Sequence, residues 1–257
     1  DGLLAVEVPA GYDVYVARTI DFTDCARGGS VQMAVWLSKG RYFVAVDPKS
    51  PSTHTGGSVK LGFVSPKTME QAGMNGDVAR RGLQAFHVAM GKGDTKRLTY
   101  AMIDFDLPSD QKREWVVDLR TAEVLYKLYI PHGERSSGAR DKRMTELFAN
   151  VSDSRMSSMG MMRSAETYTG EFGYSYRLEG LEPGYNDKVR SRAIVVHPWY
   201  GSSEQAVTHN HQAAPTWGCP AVDEGLPHEF FDSMSKGVLH WYSTSRTDWK
   251  DRTTYKM

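Results

Sequence analysis

The amino-acid sequence predicts a mainly β protein of the α+β class, and three observations carry that expectation. Short apolar runs with partial apolar-polar alternation recur along the chain, and Gly, Pro or polar clusters end them, as they end strands. Helical character is confined to a few segments, chiefly 76–90 and 227–234. The composition is that of an ordinary globular chain, with 40% hydrophobic and 24% charged residues and 31 basic against 31 acidic side chains.

A chain of 257 residues can bury a sizeable core without cross-links. Its balanced charge lacks the basic excess of a nucleic-acid binder, so no nucleic acid is expected as a partner. Apolar runs such as 193–196 fall far short of the roughly 18 residues of a membrane span, so none is expected. The first residue is Asp1 rather than Met, so a secretory signal peptide, if one existed, would already be gone.

From the N-terminus, residues 3–8, 12–16, 31–37 and 41–46 read as strands, which makes 1–65 a β-rich module of open role. The Ser-, Thr-, Gly- and Pro-rich stretch 50–58 reads as a loop. In 76–90, Ala79, Leu83, Phe86 and Met90 fall on one helical face, and Gly91 and Gly93 stop the helix. His87 lies beside that stripe and reads as structural. Strands resume at 98–105, 114–119 and 124–130, the last two forming a hairpin through the polar step 120–123. Further strands are expected near 158–163, 172–178, 193–197 and 238–242, with a helix over 227–234. The polar stretch 133–157 reads as loop with at most one helical turn around 142–148. The domain division expected is 1–65, then 66–257 with a linking helix at its start.

Two cysteines, Cys25 and Cys219, are too few for a disulfide framework. Either they pair, or at least one is kept for the reactivity of its thiolate. The run Ser191-Arg-Ala-Ile-Val-Val-His197-Pro198 puts a histidine at the end of a buried strand, extended because proline follows it. In Thr216-Trp-Gly-Cys219-Pro-Ala-Val-Asp223, Gly218 permits close backbone approach. Pro220 fixes the chain direction and offers no N–H, so oxyanion donors would have to come from Cys219 and the residues before it. By themselves these residues fit a buried apolar cysteine and a strand-end histidine as readily as a nucleophile and its base. His209-Asn-His211 with Cys219 can be drawn as a zinc site but lacks an evident fourth ligand, so no metal or other cofactor is expected.

Several linked motifs decide between these readings. They are Met156-Ser-Ser-Met-Gly160, Thr167-Tyr-Thr-Gly170, the run from Gly173 to Asn186, Arg190-Ser-Arg-Ala-Ile-Val-Val-His197 and Trp217-Gly-Cys-Pro-Ala221. Upstream stand Ile103-Asp-Phe-Asp-Leu-Pro-Ser, Val116-Val-Asp-Leu119 and Tyr129-Ile-Pro-His-Gly133. In order and spacing this pattern, over roughly 75–243, resembles the murein L,D-transpeptidase catalytic family, in a subgroup with Trp-Gly-Cys-Pro.

The resemblance implies a β-sandwich or mixed-sheet catalytic domain that acts on peptidoglycan stem peptides outside the cytoplasm, in the periplasm or beyond. It implies Cys219 as nucleophile, attacking the bond between stem residue three, commonly diaminopimelate, and D-alanine four to give a thioester, and His197 as the base. N–H groups around Trp217, Gly218 and Cys219 would bind the oxyanion. Arg192, Arg190, Tyr185 and Asn186 are candidates for substrate contact, with Ser158, Gly160 and His132 shaping the far wall of the cleft. The acceptor is a second stem amine, giving a 3-3 cross-link, or water, giving an L,D-carboxypeptidase. The commoner family motif has a second histidine and an arginine that Trp217 and Val222-Asp223 do not supply, so the base must be His197, oriented by a backbone carbonyl. A catalytically silent wall-binding protein is the reading from another class, and residues 1–65 are a candidate surface for wall or protein partners. A papain-like protease ranks low, because its cysteine precedes its histidine.

Overall fold

In the computed structural model the described residues are 1–10, 12–18, 26–28, 32–49, 58–245 and 248–257. Cys25 and most of the expected 50–58 loop lie outside them. The chain divides into two compact units, 1–98 with 118–123, and 99–117 with 124–257.

The first unit holds two antiparallel three-stranded sheets. β1 (Gly2–Glu7), β2 (Tyr12–Ala17), β3 (Ala26–Gly28), β4 (Gln32–Leu37), β5 (Phe43–Pro48) and β6 (Lys60–Val64) pair in the orders β4-β1-β6 and β3-β2-β5. Val6, Val8, Val14, Val16 and Met33 form a core there. Helix α1 (Pro66–Gln71) escapes a periodicity argument because it has under two turns. Its signal is local: Ser65 and Thr68 form a capping box, and Pro66 opens the helix. Helix α2 (Gly76–Lys92) follows the expected apolar face, starting at Asn75 and ending at left-handed Gly93. His87 approaches the Ala34 carbonyl at 3.3 Å, a structural contact within this unit.

The second unit is built on one mixed eight-stranded sheet. Its strands are β7 (Thr99–Asp104), β8 (Glu114–Asp118), β9 (Glu123–Leu128), β10 (Gly160–Gly170), β11 (Gly173–Gly180), β12 (Val195–Pro198), β13 (Ala221–Val222) and β14 (Leu239–Ser243). Their order is β13-β12-β11-β10-β14-β7-β8-β9, with β12/β13 and β14/β7 parallel. β7, β8 and β14 are buried at every position, whereas edge strand β9 alternates exposed and half-buried. Helices α3 (Glu204–Asn210), α4 (His228–Met234) and α5 (Trp249–Arg252) complete the unit. Phe230, Phe231 and Met234 of α4 pack into the main core with Tyr176, Leu178 and Val238.

The architecture is mainly β and α+β, as expected. The stretch 133–157 is largely irregular, as expected, with a 3-10 turn at Glu134–Ser136 rather than around 142–148, and bridges Ser137↔Thr145 and Phe148↔Ser157 within it. Residues 204–210, for which no element was expected, form α3, begun by the Ser203 side chain accepting from Ala206 N–H. Phe172, expected within a strand, lies in the turn between β10 and β11.

Candidate functional site

Strand β12 carries His197 at its C-terminal end, beside its parallel partner β13, with His197 opposite Ala221. Cys219 lies two residues before that partner, so the pairing of β12 and β13 brings thiol and imidazole to one end of the sheet. Both line a single cavity of about 780 Å³ within the second unit. Cys219 is half-buried and free of any disulfide. Its Sγ receives the Val195 N–H at 3.5 Å and faces the Ala193 carbonyl at 3.7 Å.

The loop that presents the thiol is tied to itself through Thr216. Its Oγ1 donates to the Cys219 carbonyl at 2.6 Å and accepts the Gly218 N–H at 3.1 Å. Thr216 is anchored in turn by the His132 carbonyl at 3.0 Å and by Glu134 N–H at 2.8 Å. Gly218 has φ +114°, and a Cβ there would stand 2.5 Å from the Met156 carbonyl oxygen, so both conformation and space demand glycine. Because Thr216 takes the Gly218 N–H, that group is not available as an oxyanion donor, contrary to expectation. The N–H groups of Trp217 and Cys219 have no acceptor among the described residues.

The imidazole is fixed from two sides. Nδ1 lies 2.9 Å from the Pro198 carbonyl, which can only accept, so the neutral ring carries its proton on Nδ1 and presents Nε2 as an acceptor. Phe172 stacks on the ring with centroids 4.5 Å apart and 26° between planes, and Trp199 meets it edge-on at 6.3 Å. Burial holds the His197 pKa below its usual 6.5, partly offset by the Pro198 hydrogen bond. Burial also raises the Cys219 thiol, opposed by the Val195 N–H and the Arg192 charge. Both shifts favour the uncharged forms, a thiol and a neutral imidazole.

Among the substrate-contact candidates, Arg192 alone lines the cavity. Its guanidinium is held by the protein: Nη1 donates to Ala149 O and Ser158 Oγ, Nη2 to Met156 O and Ser154 Oγ. Ser158 therefore acts as an acceptor for Arg192 from behind the wall. Arg190 pairs outward with Glu166 at 2.7 Å. Asn186 is fully buried, donating to the Met159 and Met161 carbonyls and accepting from Glu182 N–H. A Cβ at Gly160 would meet Glu182 Oε1 at 2.6 Å, so the glycine serves that packing. His132 accepts from Arg113 at 3.0 Å through Nδ1 and meets Ser137 Oγ at 3.1 Å through Nε2, buried behind the cavity. Tyr185 does not reach the lining.

The lining adds residues that the motifs did not single out: Phe172, Trp199, Arg135, Arg155, Asp153 and Glu171. Arg155 lies 4.4 Å over the exposed ring of Trp217 and pairs with Glu134 at 2.7 Å. The legible signal for Phe172 was Gly170-Glu-Phe-Gly173, a glycine-bounded turn carrying a large apolar residue to its tip. His209 lies on α3 and His211 caps it, and among the described residues no three metal-ligating side chains are grouped.

The second unit is thus a mixed-sheet domain whose strand ends bring a thiol and an imidazole into one cleft. Residues 70–242 match the family model of the L,D-transpeptidase catalytic domain, and the chain belongs to that family. The match begins within α1, whereas compactness groups both α1 and α2 with the N-terminal sheets. No curated protein and no solved structure matches the chain significantly. No helix among the described residues is long and apolar enough to cross a membrane.

Proposed function

We propose that the chain is a cysteine acyltransferase of peptidoglycan, with Cys219 as nucleophile and His197 as the general base. The observation that carries this reading is the shared cavity of thiol and imidazole, with Nδ1 held by Pro198 and Nε2 left as acceptor. Family membership supports the substrate class.

In this reading Nε2 takes the thiol proton as Sγ attacks the carbonyl between stem residue three and D-alanine four. The oxyanion meets the Trp217 and Cys219 N–H groups. The imidazolium then protonates the departing D-alanine amine, leaving a thioester on Cys219. An acceptor amine of another stem attacks that thioester, gives its proton to Nε2, and the thiol re-forms with a 3-3 cross-link as product. The Trp-Gly-Cys-Pro loop is the form this subgroup gives to the nucleophile's turn. Work on a wall polymer places the enzyme outside the cytoplasm, and residues 1–65 remain the proposed surface for wall or protein partners.

Disaccharide tetrapeptides incubated with the native protein should yield dimers and D-alanine, and Cys219→Ala should yield neither. Release of D-alanine without dimers would assign water as the acceptor and make the protein an L,D-carboxypeptidase. Equal turnover by Cys219→Ala would reject the mechanism, and inertness of the native protein would favour a silent wall-binding role.

A further inference from the structure

We propose that Phe172 is a positioning residue for the reaction: from the tip of the β10–β11 hairpin it covers one face of the His197 imidazole, fixing the ring plane and shielding it from water. This rests on the reading of His197 as the base.

Phe172 is 47% exposed although it is a large apolar side chain, whereas His197 beneath it is 3% exposed. The exposed ring stacks on the buried imidazole beneath it. Gly170 pairs with Gly173 across the turn, and Gly173 adopts φ +94°, a conformation that glycine takes without strain. The same Phe172 ring meets Trp199 edge-to-face at 5.8 Å and 90°, so the tip is itself held in place.

Stacking suits this role because it covers the face of the imidazole and leaves the ring edge open. The Nδ1 edge is occupied by Pro198, so Nε2 is the ring nitrogen left as an acceptor while Phe172 covers one face. Without the Pro198 contact the ring could flip; without the Phe172 contact it could tilt. The titratable and charged groups lining the same cavity are Arg135, Asp153, Arg155, Glu171, Arg192 and Cys219. A dry imidazole resists protonation, so it remains a competent base below the pH at which an exposed histidine would be charged.

The test is the pKa of the His197 ring, followed by NMR and assigned through the signals lost in His197→Gln, in the native protein, Phe172→Ala and Phe172→Trp. Phe172→Ala should titrate closer to 6.5 than the native ring, and Phe172→Trp should titrate as native. The acid limb of kcat/KM should move to higher pH with Phe172→Ala, and kcat/KM at neutral pH should fall about ten- to a hundred-fold through misplacement of the base. Phe172→Leu, which keeps apolar bulk without a flat face, should lie between.

A ring that titrates identically in native, Phe172→Ala and Phe172→Leu would overturn the proposal, as would a loss of rate with an unmoved acid limb. The ring titration needs no turnover. A moved ring pKa in a protein whose Cys219→Ala variant is as active as native would therefore sink the acyltransfer reading and leave the Phe172 contact standing.

Discussion

Gly218 shows how narrowly the thiol loop is specified at the scale of single residues. A side chain there would face a φ of +114° and a backbone oxygen 2.5 Å away, and backbone cannot swing aside as a long side chain can. Gly218→Ala should cost about 1–2 kcal/mol from conformation alone, with a further loss from displacing Met156. Thermal unfolding should fall by several degrees, and turnover should fall more steeply than stability, because the displaced loop carries Cys219. Unaltered turnover would show that the loop geometry does not govern the thiol. At this scale the sequence was most informative: glycine before cysteine and proline after histidine are constraints written in residue types. The Pro198 carbonyl does accept from Nδ1. What the sequence withheld was the engagement of the Gly218 N–H, because nothing in a motif says that Thr216 Oγ1 reaches back to take it.

The stretch between β11 and β12 illustrates the scale of elements. It is held against β10 in part by Asn186, which donates to the Met159 and Met161 carbonyls and accepts the Glu182 N–H from a fully buried position, alongside the Met161 N–H bond to Glu182 Oε1 and the Arg190–Glu166 pair. Asn186→Ala would take the acceptor from the buried Glu182 N–H and one donor from each of the two carbonyls, and a loss of about 1–3 kcal/mol is expected, read as a lowered midpoint in denaturant. Asn186→Asp should also destabilise, since a carboxylate cannot donate to either carbonyl. A midpoint unchanged in both would contradict the assignment. Helix α2 was legible because its apolar positions repeat, and β7, β8 and β14 because mainly apolar runs fit buried strands, whereas β10 was expected only to 163 and runs on to Gly170. Two short helices were not legible: α1 depends on its Ser65–Thr68 box and α3 on the Ser203 cap, local signals rather than a repeated apolar period. How Arg192 is anchored was not legible for a related reason. Its residue type suits a substrate carboxylate, but its four acceptors come from residues more than thirty positions away, which no local pattern announces.

For the molecule as a whole, burial ties stability to pH. His132 and His240 are both held down to about 3, chiefly by burial, with the Arg113 charge adding to the effect at His132. The unfolded chain takes up protons at these rings from about pH 6.5 downward, while the folded protein does not until about pH 3. Their contribution is therefore full above pH 6.5 and is lost as the pH falls toward 3. The unfolding midpoint should drop between pH 6.5 and 4, and His240→Phe, which keeps an aromatic ring at a fully buried site, should make that slope shallower. An identical slope in the variant would remove His240 from the account. The central claim is that Cys219 carries the acyl group. Peptide mass mapping of the native protein, quenched during turnover of a disaccharide tetrapeptide, tests it most directly. The account predicts the tripeptide-linked acyl group on the Cys219 peptide, and its absence when D-alanine is omitted from the stem by using a tripeptide; an acyl group on another residue, or turnover with none on Cys219, would contradict it.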